Sequence, residues 1–126
     1  MSGYNKYHAV KTTVDGITFD SKHEADRYII LRDKQKRGEI SDLRLQVPFL
    51  LLPAQYKTVS RISKKTGKPL PERQKLVERE CNYIADFVYV QDGETVVEDA
   101  KGRKTREYRL KKKMLFYFHG KEIKET

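Results

Sequence analysis

Between Cys81 and Lys101 the apolar positions recur in two strand-like runs separated by one turn signal. Cys81-Asn82-Tyr83-Ile84-Ala85-Asp86-Phe87-Val88-Tyr89-Val90 reads as a strand. Asp92-Gly93 is a two-residue hairpin loop, and Glu94 to Lys101 reads as the returning strand. With Gln91 facing Glu94, Asp86 stands opposite Asp99 and Ile84 opposite Lys101. Alternation puts Thr95, Val97, Asp99 and Lys101 on one face and Val96, Glu98 and Ala100 on the other. It also puts Asp86 with Ile84 and Val88. A three-residue loop with a bulge would instead bring Glu98 opposite Asp86.

The rest of the chain follows the same kind of pattern. Val14-Asp15-Gly16-Ile17 suggests a turn or a short strand pair. Asp20-Ser21 opens a helix that runs to about Arg37 and stops at Gly38, with Ala25, Tyr28, Ile29 and the stem of Arg32 as its apolar stripe. Leu43 to Leu52 is β-like, and Pro48 within it argues for an edge strand or a bulge. Thr105 is an N-cap for a helix through about Phe118, closed by Gly120. Tyr108 and Leu115, and less regularly Leu110, Met114 and Phe118, face the sheet. Lys121 to Glu125 makes a final short strand around Ile123. The order α-β-β-β-α-β predicts a single α/β domain with a mixed sheet over residues 14–126. A basic arm, residues 1–13, precedes it. Residues 53–75 carry Lys57, Arg61, Lys64, Lys65, Lys68 and Arg73, with a turn at Thr66-Gly67. They read as a mobile basic excursion, an open loop or a short hairpin, standing off the core.

Composition narrows the class of partner. The chain has 126 residues, enough for one domain with a modest core. Twenty-seven Lys and Arg oppose 18 Asp and Glu, a net charge of +9, and the pI is near 9.6. That balance favours a polyanion, nucleic acid before anionic membrane. No apolar run is long enough to span a membrane and no signal peptide is visible, so a cytoplasmic location is expected. Cys81 is the sole cysteine, which excludes a disulfide framework and a thiolate zinc site. His8, His23 and His119 show no metal-ligand spacing. Ser21 has no His/Asp partners in sequence and Cys81 no activating neighbour, so nucleophile chemistry by either is not expected.

The acids carry the chemistry. Directly opposed residues have Cβ atoms about 4.5–5.5 Å apart, and like charges there are destabilising. A divalent cation between Asp86 and Asp99, with Lys101 beside it, would remove the repulsion. A structural ion pair of Asp99 with Lys101 is the plainer alternative. Glu24 is a third acid. Ser21-Lys22-His23-Glu24 fits a capping box, and the same first turn could also aim the Glu24 carboxylate at the aspartate pair.

Asp86, followed after a hairpin by Asp99-Ala100-Lys101, resembles the PD-(D/E)xK nuclease signature, with an upstream helical acid at Glu24. The element order matches that superfamily's core. The chain is more closely similar to small phage-encoded nucleases of the endonuclease I type, which resolve four-way (Holliday) junctions. The likeness rests on Ser21-Lys22-His23-Glu24, Ile84-Ala85-Asp86-Phe87, Val97-Glu98-Asp99-Ala100-Lys101-Gly102 and the basic helix that follows. Ala85 replaces the usual proline, and Asp99 stands where glutamate is more common. The resemblance implies a restriction-endonuclease-like fold and hydrolysis of phosphodiester bonds in branched DNA. It implies one or two Mg²⁺ or Mn²⁺ ions held by Asp86, Asp99 and the Ala100 carbonyl, with Glu24 serving a second metal or a bound water. It gives Lys101 the attacking water and the transition state, and it implies a homodimer.

Arg103, Lys104, Arg106, Arg109, Lys111, Lys112 and Lys113 crowd one stretch, with Glu107 and the motif acids as the only local opposition. On the helix, Arg106, Arg109 and Lys113 share a side. These residues, with Lys64, Lys65 and Lys68 of the excursion, are the expected DNA contacts. The rival readings are a non-catalytic DNA-binding module of the same fold, a nickase or a nuclease acting on single strands or RNA, and a protein-interaction factor.

Overall fold

A computed structural model describes residues 10–100 and 103–126. Residues 1–9 of the basic arm and Lys101 lie outside the described residues. The chain opens with a hairpin, β1 (Thr12–Val14) and β2 (Ile17–Phe19), so the boundary expected at residue 13 falls inside a strand. Helix α1 (Lys22–Lys36) begins at Ser21, whose hydroxyl accepts from the Glu24 N–H at 3.1 Å. Strand β3 (Ser41–Leu52) leads into the ribbon β4 (Gln55–Ile62) and β5 (Pro69–Glu78), then β6 (Cys81–Gln91) and β7 (Glu94–Asp99). Helix α2 (Arg106–His119) and strand β8 (Ile123–Glu125) complete it.

The central sheet has the order β3-β6-β7-β8, antiparallel except for the parallel pair β7–β8. This is a mixed α/β domain with a mixed sheet between two helices. The crossover through α2 is what lets β8 lie parallel to β7. Among the described residues no helix is long and apolar enough to cross a membrane.

Two core clusters lie on the two sides of the sheet. Ala25, Tyr28 and Leu31 of α1 pack with Phe87 and Tyr89. Tyr108 and Leu115 of α2 pack with Val88, Val97 and Ile123. Leu31, absent from the expected stripe, is fully buried, while Ile29 is only half-buried and Arg32 turns outward to Asp15 at 3.0 Å. Leu110 and Phe118 are exposed, against expectation. A helix lying on one sheet buries a narrow stripe, and Tyr108, Leu115 and half-buried Met114 fill it.

The β6–β7 register is that of a two-residue loop. Gln91 pairs with Glu94 and Phe87 with Glu98. Asp92 and Gly93 both have positive φ, 52° and 78°, as a type I′ turn requires. Glu98 is therefore opposite Phe87, and the ladder ends at that pair, short of the expected Asp86–Asp99 pair; beyond it the Ala100 N–H donates to Asp86.

Pro48 lies on an edge strand, as its missing N–H requires. Two residues earlier, Gln46 adopts φ 52°. The β3–β6 ladder pairs Leu45 with Phe87 and Val47 with Ala85, and skips Gln46 and Asp86 between them. Alternation changes at this point. Tyr83 and Ala85 join the α2-side cluster with Val88, whereas Phe87 and Tyr89 join the α1-side cluster. The shared face expected for Ile84, Asp86 and Val88 is broken accordingly, with Ile84 exposed and Val88 buried.

The excursion is a two-stranded ribbon that forms its own sheet and runs three residues beyond the expected end, to Glu78.

Candidate active site

Glu24 on α1 and Asp86 on β6 come together through Gln46 on β3, while Asp99 ends β7. The capped first turn of α1 turns Glu24 inward, where it is 8% exposed. The Gln46 Nε2 amide donates to Glu24 Oε1 at 3.2 Å and to Asp86 Oδ1 at 3.3 Å. The Ala100 N–H donates to Asp86 Oδ2 at 3.0 Å, tying β6 to the end of β7. Asp99 is fully buried and accepts from the Tyr83 hydroxyl at 2.6 Å.

The Tyr83 hydrogen bond puts Asp99 with the α2-side cluster. Burial raises the Tyr83 phenol far above its ordinary range, and the hydrogen bond and charge of Asp99 add to that, with a smaller push from Asp86. Tyr108 is raised by burial first, then by Glu125, Asp99 and Asp86. Asp86 and Asp99 thus act on the same two phenols. The capping box is half formed: Ser21 receives the Glu24 N–H while the Glu24 carboxylate bonds Gln46.

Glu98 lies on the opposite face. Arg27 Nε and Nη2 donate to its two oxygens at 2.5 and 2.9 Å, and Tyr89 donates at 2.7 Å. Burial by itself would raise the Glu98 carboxyl, but Arg27 and Tyr89 outweigh it and hold the group below its ordinary value. This pair fastens α1 to β7 one turn from Glu24.

The donor set suits a hard divalent ion in kind, because only oxygens are offered. Mg²⁺ is commonly held by one or two carboxylates, with water and phosphate oxygens completing its shell. Glu24 and Asp86 sit within reach of one amide and supply such a pair. Among the described residues no three Asp, Glu, His or Cys side chains converge on one point, so Glu24, Asp86 and Asp99 do not form a closed cage by themselves. Lys101 and its ammonium lie outside the described residues. For Ala100 the observed contact is through its N–H.

The basic residues divide into two groups. Arg103, Arg106, Arg109 and Lys113 are exposed. Lys111 pairs with Glu107 at 3.2 Å, and Lys104 and Lys112 both reach Glu125 at 3.3 and 3.1 Å. Glu125 is held below its ordinary range by Tyr108 first, then Lys112 and Lys104. It was missing from the expected local opposition because it arrives from β8. Exposed pairs of this kind are weak, so these lysines can exchange Glu125 for phosphate. Lys64, Lys65 and Lys68 are exposed in the turn closing the ribbon, where the Ser63 N–H donates to the Lys68 carbonyl at 2.8 Å.

Sequence reasoning missed Gln46, Tyr83 and Glu125. A lone amide in the apolar run Leu45-Gln46-Val47 was the visible signal for the first. Placing it needs the β3–β6 register, which no short turn specifies.

Fold and site define a mixed α/β domain in which carboxylates from a helix and a strand share one amide donor, beside a third buried carboxylate and a basic helix. Residues 4–126 match the model of a family described as "Protein of unknown function (DUF1064)", and the chain belongs to that family. No curated protein matches it, and neither does any solved structure.

Proposed function

We propose that the protein is a metal-dependent DNA endonuclease with a restriction-endonuclease-like fold, selective for branched DNA such as four-way junctions. The carrying observation is the double donation of Gln46 Nε2 to Glu24 and Asp86, with the Ala100 N–H, next in the chain to Asp99, also on Asp86. Two acids brought together from a helix and a strand far apart in the chain, in a protein of net charge +9, have a use if a cation and a phosphate join them.

In this reading Asp86 and Asp99 hold Mg²⁺ or Mn²⁺, and Glu24 holds a second ion or orients a water. A bound ion would lower the pKa of a water and neutralise charge growing on the phosphate. The Ala100 N–H and the Gln46 amide keep Asp86 in place. Lys101 would position the attacking water and face the transition-state charge. Arg106, Arg109 and Lys113 would hold flanking phosphates, with Arg103, Lys104, Lys111, Lys112 and the ribbon lysines in support. A homodimer would supply two such sites for paired cuts.

The test is cleavage of a synthetic four-way junction in Mg²⁺ by the parent and by Asp99→Ala. Cutting by the parent and its loss in the variant is the expected result. Equal cutting by both rules out this site. A non-catalytic DNA-binding protein of the same fold is the second reading, and the buried Tyr83–Asp99 hydrogen bond, a structural use for that acid, favours it. A parent that binds the junction without metal and leaves it intact would establish this alternative.

A further inference from the structure

The ribbon β4–β5 has two unlike faces. Its register sets Lys57 directly across from Lys75 and Val59 across from Arg73. Cross-strand partners and positions two apart point the same way, so these four side chains share a face. The other face carries Tyr56 across from Leu76 and Thr58 across from Gln74, the latter pair joined by a 3.0 Å hydrogen bond.

The cationic face works against the ribbon's own stability. Like charges directly opposed are destabilising. Among the described residues, Lys57, Arg73 and Lys75 make no ion pair or hydrogen bond through their side chains. Residues 55–78 contain seven Lys and Arg against two Glu, and all of β4 and β5 is exposed apart from half-buried Val59. A row of cations kept in the open at a cost in stability calls for an external anion.

We infer that this face grips the phosphodiester backbone of a duplex arm of the DNA substrate. A two-stranded ribbon fits a major groove about 12 Å wide. Phosphates between Lys57 and Lys75 remove the repulsion that the fold leaves in place. The cationic face bears no aromatic ring, since Tyr56 points to the other side, so it lacks the stacking platforms of single-strand binders. Lys75 precedes Asp86 by eleven residues and so lies at most roughly 40 Å from it. That is about one turn of duplex. The assignment rests on the DNA reading above for the identity of the anion, and not on hydrolysis.

The test is fluorescence anisotropy on a labelled duplex of roughly three helical turns, without divalent metal, between about 50 and 200 mM KCl. Lys57→Gln/Arg73→Gln/Lys75→Gln is expected to flatten the plot of log Kobs against log[salt] by about 3 and to weaken binding roughly tenfold or more. Lys75→Gln alone should flatten it by about 1. Thr58→Ala/Gln74→Ala, on the opposite face, should change neither. Removing the lysine pair relieves repulsion, so the triple variant should keep the parent's Tm. An unchanged slope in a folded triple variant overturns the assignment, as does a parent that does not bind duplex. Junction cleavage in Mg²⁺ is scored separately. A slope that falls in a protein that never cuts keeps the ribbon assignment and removes the nuclease reading. Mg²⁺-dependent cutting with an unchanged slope does the reverse.

Discussion

Gln46 donates its Nε2 amide to Asp86 Oδ1 at 3.3 Å from a left-handed backbone conformation, φ 52°, in the middle of edge strand β3. A non-glycine residue held there stores strain of order 1–3 kcal/mol and persists only where its surroundings demand it. Here the surroundings are two carboxylates that need a donor.

Replacing Gln46 separates strain from bonding. Gln46→Ala removes both hydrogen bonds and keeps the strained Cβ, so it should destabilise the metal-free protein by about 2 kcal/mol. Gln46→Gly loses the same bonds but relaxes the backbone, and should be about 1 kcal/mol more stable than the alanine variant. Urea unfolding at neutral pH measures both. A glycine variant less stable than alanine would contradict the left-handed conformation.

If the protein is the proposed nuclease, Asp86→Asn and Asp99→Asn should each lower Mg²⁺-dependent junction cleavage by about 100-fold or more, because each would remove a charge facing the ion and the phosphate. Binding of uncut junction in the absence of metal should be unchanged or tighter. Single-turnover cleavage and a mobility-shift titration, run on the same preparations, check the two halves.

Arg27→Met leaves Glu98 buried and charged without its partner. A loss of about 3–5 kcal/mol is expected at pH 7. The folded-state pKa of Glu98 lies below its ordinary value of 4.5, so its stabilisation is present above that value and lost as pH falls through the folded one. The gap between parent and Glu98→Gln should therefore narrow below about pH 4.5. Thermal unfolding from pH 3 to 7 tests the sign, and a gap that widens on acidification would refute it.

Glu125 pairs with Lys104 and Lys112, and on the proposed DNA reading it would compete with phosphate for them. Glu125→Gln should tighten DNA binding, steepening the salt slope by up to about 2 as the two lysines are released. Arg109→Gln/Lys113→Gln should flatten the slope by about 2, since both side chains are exposed. Anisotropy on one duplex compares all three proteins, and a Glu125→Gln slope equal to the parent's would show that Lys104 and Lys112 do not reach phosphate.

What was legible from the residues was local. Ser21 and Thr105 cap the two helices they were read to cap, and Gly120 closes α2 in the left-handed conformation at φ 66°. Asp92-Gly93 specified its hairpin and the register from Gln91–Glu94 to Phe87–Glu98, because a type I′ turn leaves one register for the strands it joins. Each of these signals acts over a few residues, where the chain's own stereochemistry decides.

Contacts between residues far apart in the chain needed the folded molecule. Gln46 reaches Asp86 across a separation of forty positions that includes the whole ribbon, so no turn geometry fixes their register. Glu125 meets Lys104 and Lys112 only after α2 has carried the chain back across the sheet. Arg27 finds Glu98, and Glu24 turns inward, because the packing of α1 on Phe87 and Tyr89 sets its rotation, burying Leu31 where spacing alone had put Ile29. Periodicity and turn chemistry determined the elements and their order. The close packing of helix against sheet decided which polar side chains would share a buried space, since there each must find a partner or lose its hydration uncompensated.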